Sequence, residues 1–554
     1  MRQTGKWRKR LRWSALGVVT LGAAGVLFAR PLAEAIATAA LRDSGFPEAR
    51  VSIAGIGLDG ARLRLDSLVA FGALGPAGER YGLALAGRGT LSGPLLIGLT
   101  PEGVVASPLG CLEGSVEGLE VAGEAVAAPQ GLRVCTPAAG EVLRWGSAGL
   151  RLAARIESPR IELTGRRILA EGVEADLAQD AAAQAADLRV ASLRPTGKPA
   201  DFAPLALAVR AEQPAGQAIA LTATVTGADG VLSAGGEGRH DPASGEGRFV
   251  LTAKPIRLKP GGPGLGALSP RLAALVDEAA GTIGGSATFA WTGKGLRSGA
   301  QVKLAGVTGR VGPVTVAAAS GTIALTSLLP PEVPAGQILK IGLLDVGVPL
   351  TDGTVRFGYG RDGRLSIEEA QWHWAGGLLR SDPVAFRPEA PKGAVTLHAE
   401  GVDLARLFAM IDVDGLEASG RLGGSLPVTL AGDVVRVDGG ILESAGPGTL
   451  RYDPEKPPSA LQGDPGSPTG MLLGALTDFR YESLRLTVDG QAGGELSVGV
   501  AVRGANPAFY DGYPVALNLK LSGALDRILR QSLDAARIPD AVREGMTDFG
   551  RKDR

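Results

Sequence analysis

Residues 484–490 read LRLTVDG, and the order of side chains in this stretch decides the fold. Leu484, Leu486 and Val488 alternate with residues that are charged or carry a hydroxyl group. Successive side chains of a β-strand point to opposite faces of the sheet, so a period of two predicts a strand with one apolar and one polar face. A helix would need apolar residues three and four positions apart.

The same alternation recurs along most of the chain after residue 50. It is clear in VTLHAEG at 395–401 and in VALNLKLSG at 515–523, and Gly, Pro, Asp or Asn separate most such segments. Short strands between turn residues are typical of antiparallel sheets. Helical patterns are few and occur at 402–411, 471–479 and 524–538, with a shorter candidate at 270–281. We therefore predict a mainly β fold, an elongated and curled antiparallel sheet with a few short helices.

An apolar sheet face must be covered, either by a second sheet or by something apolar that it binds. One interpretation is a β-sandwich that fills its own interior. The other is an open hydrophobic β-groove, which suits a chain whose apolar residues are mostly small and aliphatic and whose aromatic content is 4%. The residues that we predict to line such a groove are Val395, Leu397, Leu484, Leu486, Val488, Val515, Leu517, Leu519 and Leu521.

Composition argues against several classes of function. Lys plus Arg and Asp plus Glu number 57 each, so no global positive field is present to hold nucleic acid. The three histidines are scattered, and no His/Cys/Asp spacing predicts a metal site. GIGLDG at 55–60 matches a dinucleotide fingerprint, but a strand pattern follows it where a helix is required. We expect neither a cofactor nor catalytic residues.

The two cysteines, Cys111 and Cys135, bracket a segment that looks like a strand, a turn and a returning strand. In an oxidising compartment this arrangement favours a disulfide. The alternative is two buried thiols that pack as small apolar groups.

The amino terminus indicates the compartment. Residues 1–13 carry six Lys/Arg and no acidic residue, and an apolar run follows at 14–29. By the positive-inside rule the basic tail stays in the cytoplasm and the rest of the chain crosses the membrane. We predict a transmembrane anchor at 14–30 followed by a juxtamembrane helix at 31–44; a cleaved signal peptide, with Ala35 and Ala37 near the cleavage site, is the alternative.

Beyond the anchor, a Pro/Gly-rich stretch at 259–270 marks the best internal boundary. We place an N-terminal β-groove segment at 45–260, a second β-groove domain at 270–535 and a C-terminal tail at 536–554.

Four passages resemble the YdbH family, within the wider AsmA-like group that includes TamB and YhdP. They lie at 45–63 (GFPEARVSIAGIGLDGARL), 337–357 (QILKIGLLDVGVPLTDGTVRF), 413–454 (containing GGILESAGPGTLRYDP) and 473–525 (containing FRYESLRLTVDGQAGGELSVGVAVRG). The resemblance is strongest over about residues 270–535. The family's C-terminal domain also carries the label dicarboxylate transport, but no Arg or Lys cluster here is placed to clamp two carboxylates.

The resemblance implies a single-pass bacterial inner-membrane protein with a cytoplasmic N-terminus, whose periplasmic β-groove conducts phospholipid between the inner and outer membranes. It also implies a partner, a small outer-membrane lipoprotein that adds a strand to the C-terminal sheet edge. Two alternatives remain open: a scaffold for outer-membrane biogenesis or protein translocation that conducts no lipid, and an enzyme acting on envelope glycan or lipid.

Overall fold

The computed structural model describes most of the chain between residues 30 and 523. The described ranges are 30–39, 41–42, 48–75, 79, 85–121, 124–127, 129, 131–137, 140–147, 149–180, 182–214, 217–260, 264–292, 295–312, 314–409, 415–432, 434–454, 473–491, 496–509 and 512–523. Strands hold 72% of these residues, and the pairings between them are antiparallel. The prediction of a mainly β, antiparallel fold with few helices is confirmed.

The chain forms two compact units. The first comprises residues 1–254, 267–270 and 286–298, and the second comprises 255–266, 271–285 and 299–554. The strands that lie wholly in the first unit are β1 (Arg50–Asp59), β2 (Arg62–Ala73), β3 (Leu85–Thr100), β4 (Gly103–Pro108), β5 (Cys111–Val121), β6 (Glu124–Ala125), β7 (Leu132–Cys135), β8 (Leu143–Gly146), β9 (Gly149–Leu163), β10 (Ile168–Gln179), β11 (Ala183–Pro195), β12 (Leu205–Pro214), β13 (Ile219–Gly227) and β14 (Ser233–Asp241).

Three strands contribute residues to both units: β15 (Glu246–Leu258), β16 (Asp277–Thr292) and β17 (Gly295–Val311). The strands of the second unit are β18 (Val314–Leu325), β19 (Ser327–Leu328), β20 (Pro331–Asp345), β21 (Pro349–Tyr359), β22 (Leu365–Trp374), β23 (Gly377–Ser381), β24 (Val384–Phe386), β25 (Lys392–Asp403), β26 (Leu416–Ser419), β27 (Arg421–Ala431), β28 (Val434–Ser444), β29 (Gly448–Tyr452), β30 (Phe479–Gln491), β31 (Leu496–Ala505) and β32 (Val515–Gly523).

Helices are short. Residues 30–39 and 41–42 are helical, as are Pro270–Ala273, Leu404–Ala409 and 473–476, and single 3-10 turns occur at Thr164–Arg166 and Leu265–Ala267. Apart from Arg30, the anchor predicted at 14–30 lies outside the described residues, as do the helix predicted at 524–538 and the tail at 536–554. Within the described part of the chain, no helix has the length and apolar character that crossing a membrane requires.

Two glycine-containing stretches act through backbone shape. GIGLDG ends β1 and turns into β2 at Gly60, whose φ of 59° favours glycine, so this stretch belongs to a hairpin. Gly439 has a φ of 67° and lies inside β28, where the register shifts against both β27 and β30. A β-bulge adds one residue to one strand and bends it. The bulge at Gly439 keeps Val437 and Leu442 on the same sheet face although they are an odd number of residues apart.

Cys111 and Cys135 are joined by a disulfide that links β5 to β7, where the two residues oppose each other directly. The bond closes a loop with a sequence separation of 24. Closing a loop of this size in the unfolded chain stabilises the folded state by about 3 kcal/mol. The double variant Cys111→Ala, Cys135→Ala is therefore expected to lower the free energy of unfolding of the first unit by that amount, measured by denaturant titration. The oxidised wild-type chain is the reference, and equal midpoints for the two proteins would contradict the expectation.

A candidate apolar binding face

An uninterrupted row of apolar residues and glycine crosses the first unit at right angles to its strands. Each member opposes the next across an antiparallel pair, so all of them lie on one sheet face. One residue comes from each of nine strands, β5, β7 and β9 to β15: Leu112, Val134, Ile156, Ala175, Leu188, Val209, Ala223, Gly236 and Leu251. We call this face of the first unit the apolar face.

The side chains of this row are neither sealed in a core nor fully in water. Leu112 and Ala223 are buried, and the other members are half-buried. A half-buried aliphatic row that continues from strand to strand leaves a long apolar strip accessible, and contiguous apolar surface of this kind marks a binding site more often than an ordinary protein surface.

The small size of its residues keeps the apolar face flat. Most of its members are Ala, Val or Leu, and where a larger ring occurs the neighbouring positions are glycine. Phe249 lies over Gly236 and Gly238: a Cβ atom added to either glycine would meet the ring at 2.7 or 2.8 Å. The two glycines therefore accommodate the phenyl ring without raising the sheet surface.

The opposite face of the same strands carries charged side chains that form ion pairs. Arg133 lies 2.7 Å from Glu157, and Arg155 lies 2.7 Å from Asp176, each ion pair joining neighbouring strands. The hydrogen bond from Arg155 lowers the pKa of Asp176. This carboxylate therefore stays ionised in mildly acidic solution, and this face favours water over apolar ligands.

The second unit contains the nine residues predicted to line a groove, and its register brings most of them together. Leu486 of β30 opposes Leu442 on one side and Val500 on the other, and Val488 opposes Val498. On β25, Val395 opposes Val428 and Leu397 opposes Leu426. On β32, Val515, Leu517, Leu519 and Leu521 oppose Gly504, Val502, Val500 and Val498; the side chains of Leu519 and Leu521 lie outside the described residues.

On the face of the second unit that carries these residues, side-chain burial decreases from one end of the strands toward the other. Leu484 and Leu486 are 2% exposed and pack in a closed core with Leu404 and Leu476, which come from two of the short helices. Val395, Leu397, Val488, Val515 and Leu517 are half-buried. One end of the face is therefore closed in a cluster that includes residues of two helices, and at this covered end Leu484 and Leu486 have little surface left for a ligand.

The row in the first unit was not identified residue by residue from the sequence. Its signal is nevertheless present in LALAV at 205–209 and IALTATV at 219–225, which alternate as LRLTVDG does. Among the described residues, no group of three or more His, Cys, Asp or Glu side chains could hold a metal ion.

Comparison with known proteins gives one result. The YdbH-like family, described as intermembrane phospholipid transport protein YdbH, matches residues 84–547. No curated protein and no solved structure matches the chain. The family match covers the nine-position row of the first unit, nearly all of the second unit and far more than half of the sequence. The chain therefore belongs to the YdbH-like family of intermembrane phospholipid transport proteins.

Proposed function

We propose that this chain carries phospholipids between the inner and outer membranes of a bacterial envelope by shielding their acyl chains on its apolar face. The observation that carries the proposal is the row of nine positions from Leu112 to Leu251, which is apolar throughout and half-buried for most of its length. On this proposal the apolar face forms the wall of a β-groove.

The length of the row favours conduction over a pocket for one lipid. Eight strand spacings of about 4.8 Å make the row about 38 Å long. One acyl chain spans about 15 Å, half of the hydrocarbon core of a bilayer. A strip more than twice as long as its ligand lets the lipid occupy many equivalent positions.

The energy scale explains why such a strip is needed. A two-chain phospholipid carries on the order of 30 methylene groups, and exposing them to water costs roughly 25 kcal/mol. Contact with half-buried Leu, Val and Ala side chains removes much of that apolar surface from water. The charged head group can remain in solution beside the face, because no member of the row offers it a partner.

The location in the envelope is part of the same proposal. We place residues 14–30 in the inner membrane and the two units in the periplasm, supported by the basic tail at 1–13 and by the Cys111–Cys135 disulfide, which suits an oxidising compartment. Among the described residues β32 pairs only with β31, which supports a small outer-membrane lipoprotein adding its strand to the other edge of β32.

Photo-crosslinking in cells tests the proposal. A photoreactive amino acid at Leu188 or Val209, on the apolar face, is expected to capture phospholipid. The same amino acid at Arg189 or Ala208, one residue away on the charged face, is the matched control and is expected to capture none. Equal capture at both faces, or capture of outer-membrane proteins in place of lipid, would contradict conduction; the second result would favour the scaffold.

A further inference from the structure

Three large apolar side chains stand out into solvent at the ends of hairpins in the first unit. Leu58 is 81% exposed, Leu99 is 85% exposed and Trp145 is 64% exposed. They are among the most exposed large apolar side chains of the described residues. We call Leu58, Leu99 and Trp145 the tip cluster.

The strand register places the tip cluster at one end of the sheet. Leu58 precedes the turn from β1 to β2, Leu99 precedes the turn from β3 to β4, and Trp145 precedes the turn from β8 to β9. These strands are neighbours, because β1 pairs with β2, β2 with β3, β3 with β4 and β4 with β8. The three turns therefore lie side by side.

The tip cluster also lies on a single sheet face. Leu58 opposes Leu63, which opposes Ile97, while Leu99 opposes Val104, which opposes Trp145. Ile97 and Leu99 are two residues apart and so share a face. Leu63 and Ile97 pack against a buried group that includes Ile53 and Leu65. The tip cluster is thus the exposed end of an apolar surface whose inner part is buried.

The helical residues 30–39 and 41–42 lie against β1. Ile53 donates its backbone N–H to Glu34, Val51 donates to Thr38, and Arg42 donates to the carbonyl of Ala49. Helix numbering rises as strand numbering falls, so this helix runs antiparallel to β1. Its first described residue, Arg30, lies toward the end of β1 that carries Leu58.

The rise per residue gives the positions of Arg30 and Leu58 along the direction of β1. Arg30 lies four helical residues beyond Glu34, about 6 Å. Leu58 lies five strand residues beyond Ile53, about 16 Å. Leu58 therefore lies about 10 Å beyond Arg30 along β1, at the end of the unit toward which the first described residue, Arg30, lies.

The charged residues at the tips carry no net positive charge. Arg144 pairs with Glu141 at 2.7 Å and also with Glu102, and the exposed Asp59 and Arg62 add one charge of each sign. A surface without net positive charge is not built to attract anionic head groups from a distance. Leu and Trp side chains at loop tips instead suit the boundary between head groups and acyl chains, where Trp is enriched.

We propose that the tip cluster inserts into the periplasmic leaflet of the membrane that holds residues 14–30, and that it is the place where lipid passes from that leaflet onto the apolar face. The inference rests on the proposed function, since it takes residues 14–30 as the anchor. Leu58, Leu99 and Trp145 hold the end of the sheet at the depth of the acyl chains. On β3, Ile97 shares its face with Gly93, where an added Cβ would meet the side chain of Leu112, the first member of the row.

Fluorescence quenching on the full chain tests this insertion. The chain is reconstituted into vesicles of phosphatidylethanolamine and phosphatidylglycerol with bromine on the acyl chains, and a fluorescent amino acid replaces Leu58, Leu99 or Trp145 in turn. Val121 is the matched control: it is apolar and 41% exposed, and it opposes Leu85 at the far end of β3. Quenching at the three tips and none at 121 is the expected result. Unquenched tips in a chain that resists carbonate extraction overturn the inference alone, and a chain that does not insert at all overturns it together with the anchor.

Lipid transfer gives a second measurement. The triple variant Leu58→Glu, Leu99→Glu, Trp145→Glu is expected to slow transfer from these vesicles by on the order of tenfold or more, whereas Val121→Glu leaves the rate unchanged. The same rates in vesicles of zwitterionic phosphatidylcholine are expected, since the tips carry no net positive charge. Normal transfer by the triple variant overturns the inference. Quenched tips without any lipid transfer support membrane insertion but overturn the proposed function.

Discussion

Val209→Glu is expected to slow phospholipid transfer by roughly 100-fold. Val209 lies in the middle of the apolar row, between Leu188 and Ala223 on the neighbouring strands. A lipid that moves along the face must carry its acyl chains past this position. Placing an ionised carboxylate among acyl chains costs about 3 kcal/mol, which corresponds to about two orders of magnitude in rate. Transfer of labelled phospholipid between donor and acceptor vesicles measures the change.

Ala208→Glu is the matched control. Ala208 is the preceding residue, is exposed and points to the charged face, where it opposes Arg189. The same carboxylate on that face meets water and a guanidinium group, so transfer is expected to match the wild type. Thermal unfolding should be similar for both variants, since Val209 is only half-buried. If Val209→Glu transfers lipid as fast as Ala208→Glu, the row is not the path.

Tyr481→Ala is expected to destabilise the second unit by about 3 to 5 kcal/mol. Tyr481 is 1% exposed, and its hydroxyl donates a 2.6 Å hydrogen bond to the carbonyl of Ser419. The ring end fits against Gly420 and Gly448, where an added Cβ at either position would collide with the Tyr481 hydroxyl oxygen. Truncation removes a large buried side chain from a site that two glycines keep narrow. Hydrogen exchange of backbone amides in β26 to β30 measures the local free energy of opening.

One further variant isolates the contribution of the Tyr481 hydrogen bond, and a second variant is a control at an exposed tyrosine. Tyr481→Phe removes only the hydrogen bond and is expected to cost about 1 kcal/mol. Tyr513→Ala removes a tyrosine that is 71% exposed and is expected to change the opening free energy by less than about 0.5 kcal/mol. Wild-type exchange in Tyr481→Ala would show that the covered end of the second unit does not depend on this ring.

The fold class was readable from the sequence because alternation is a local property. LRLTVDG lies in β30, and its period of two predicts a strand without any knowledge of the neighbouring strands. The predicted ends of the helices were less accurate. The helix predicted at 402–411 begins only at Leu404, because Val402 and Asp403 complete β25 opposite Leu422 and Arg421. Tertiary pairing overrides helix propensity at such junctions.

The segment at 270–281 shows the same limit. Only Pro270–Ala273 is helical, and β16 starts at Asp277 in a run of small residues that has no clear alternation. Ala and Gly side chains bury too little surface to mark a sheet face, so the sequence pattern does not distinguish strand from helix there.

The candidate site was harder to predict from the sequence than the fold, because strand register decides which residues come together in it. The residues that share a face with Val209 come from strands up to about a hundred positions away, and a single bulge shifts the count, as Gly439 does in β28. Leu484 is likewise buried in one cluster with Leu404 and Leu476, which come from two short helices that are distant from each other in sequence. Alternation predicts that an apolar face exists, but long-range pairing decides how it continues and where it is covered.

The uniform chemistry of the nine-position row has a consequence for how transport is driven. Each step of a lipid from one strand to the next replaces one set of apolar contacts with a similar set, and none of the nine residues has a side chain that offers a head group a charge or a hydrogen bond. The free energy of the lipid is then nearly constant along the row. The row itself therefore neither imposes a direction on transport nor selects among lipids. On the proposed function, the net direction is therefore set by the difference in lipid supply between the two membranes, and any choice among head groups is made where lipids join or leave the path.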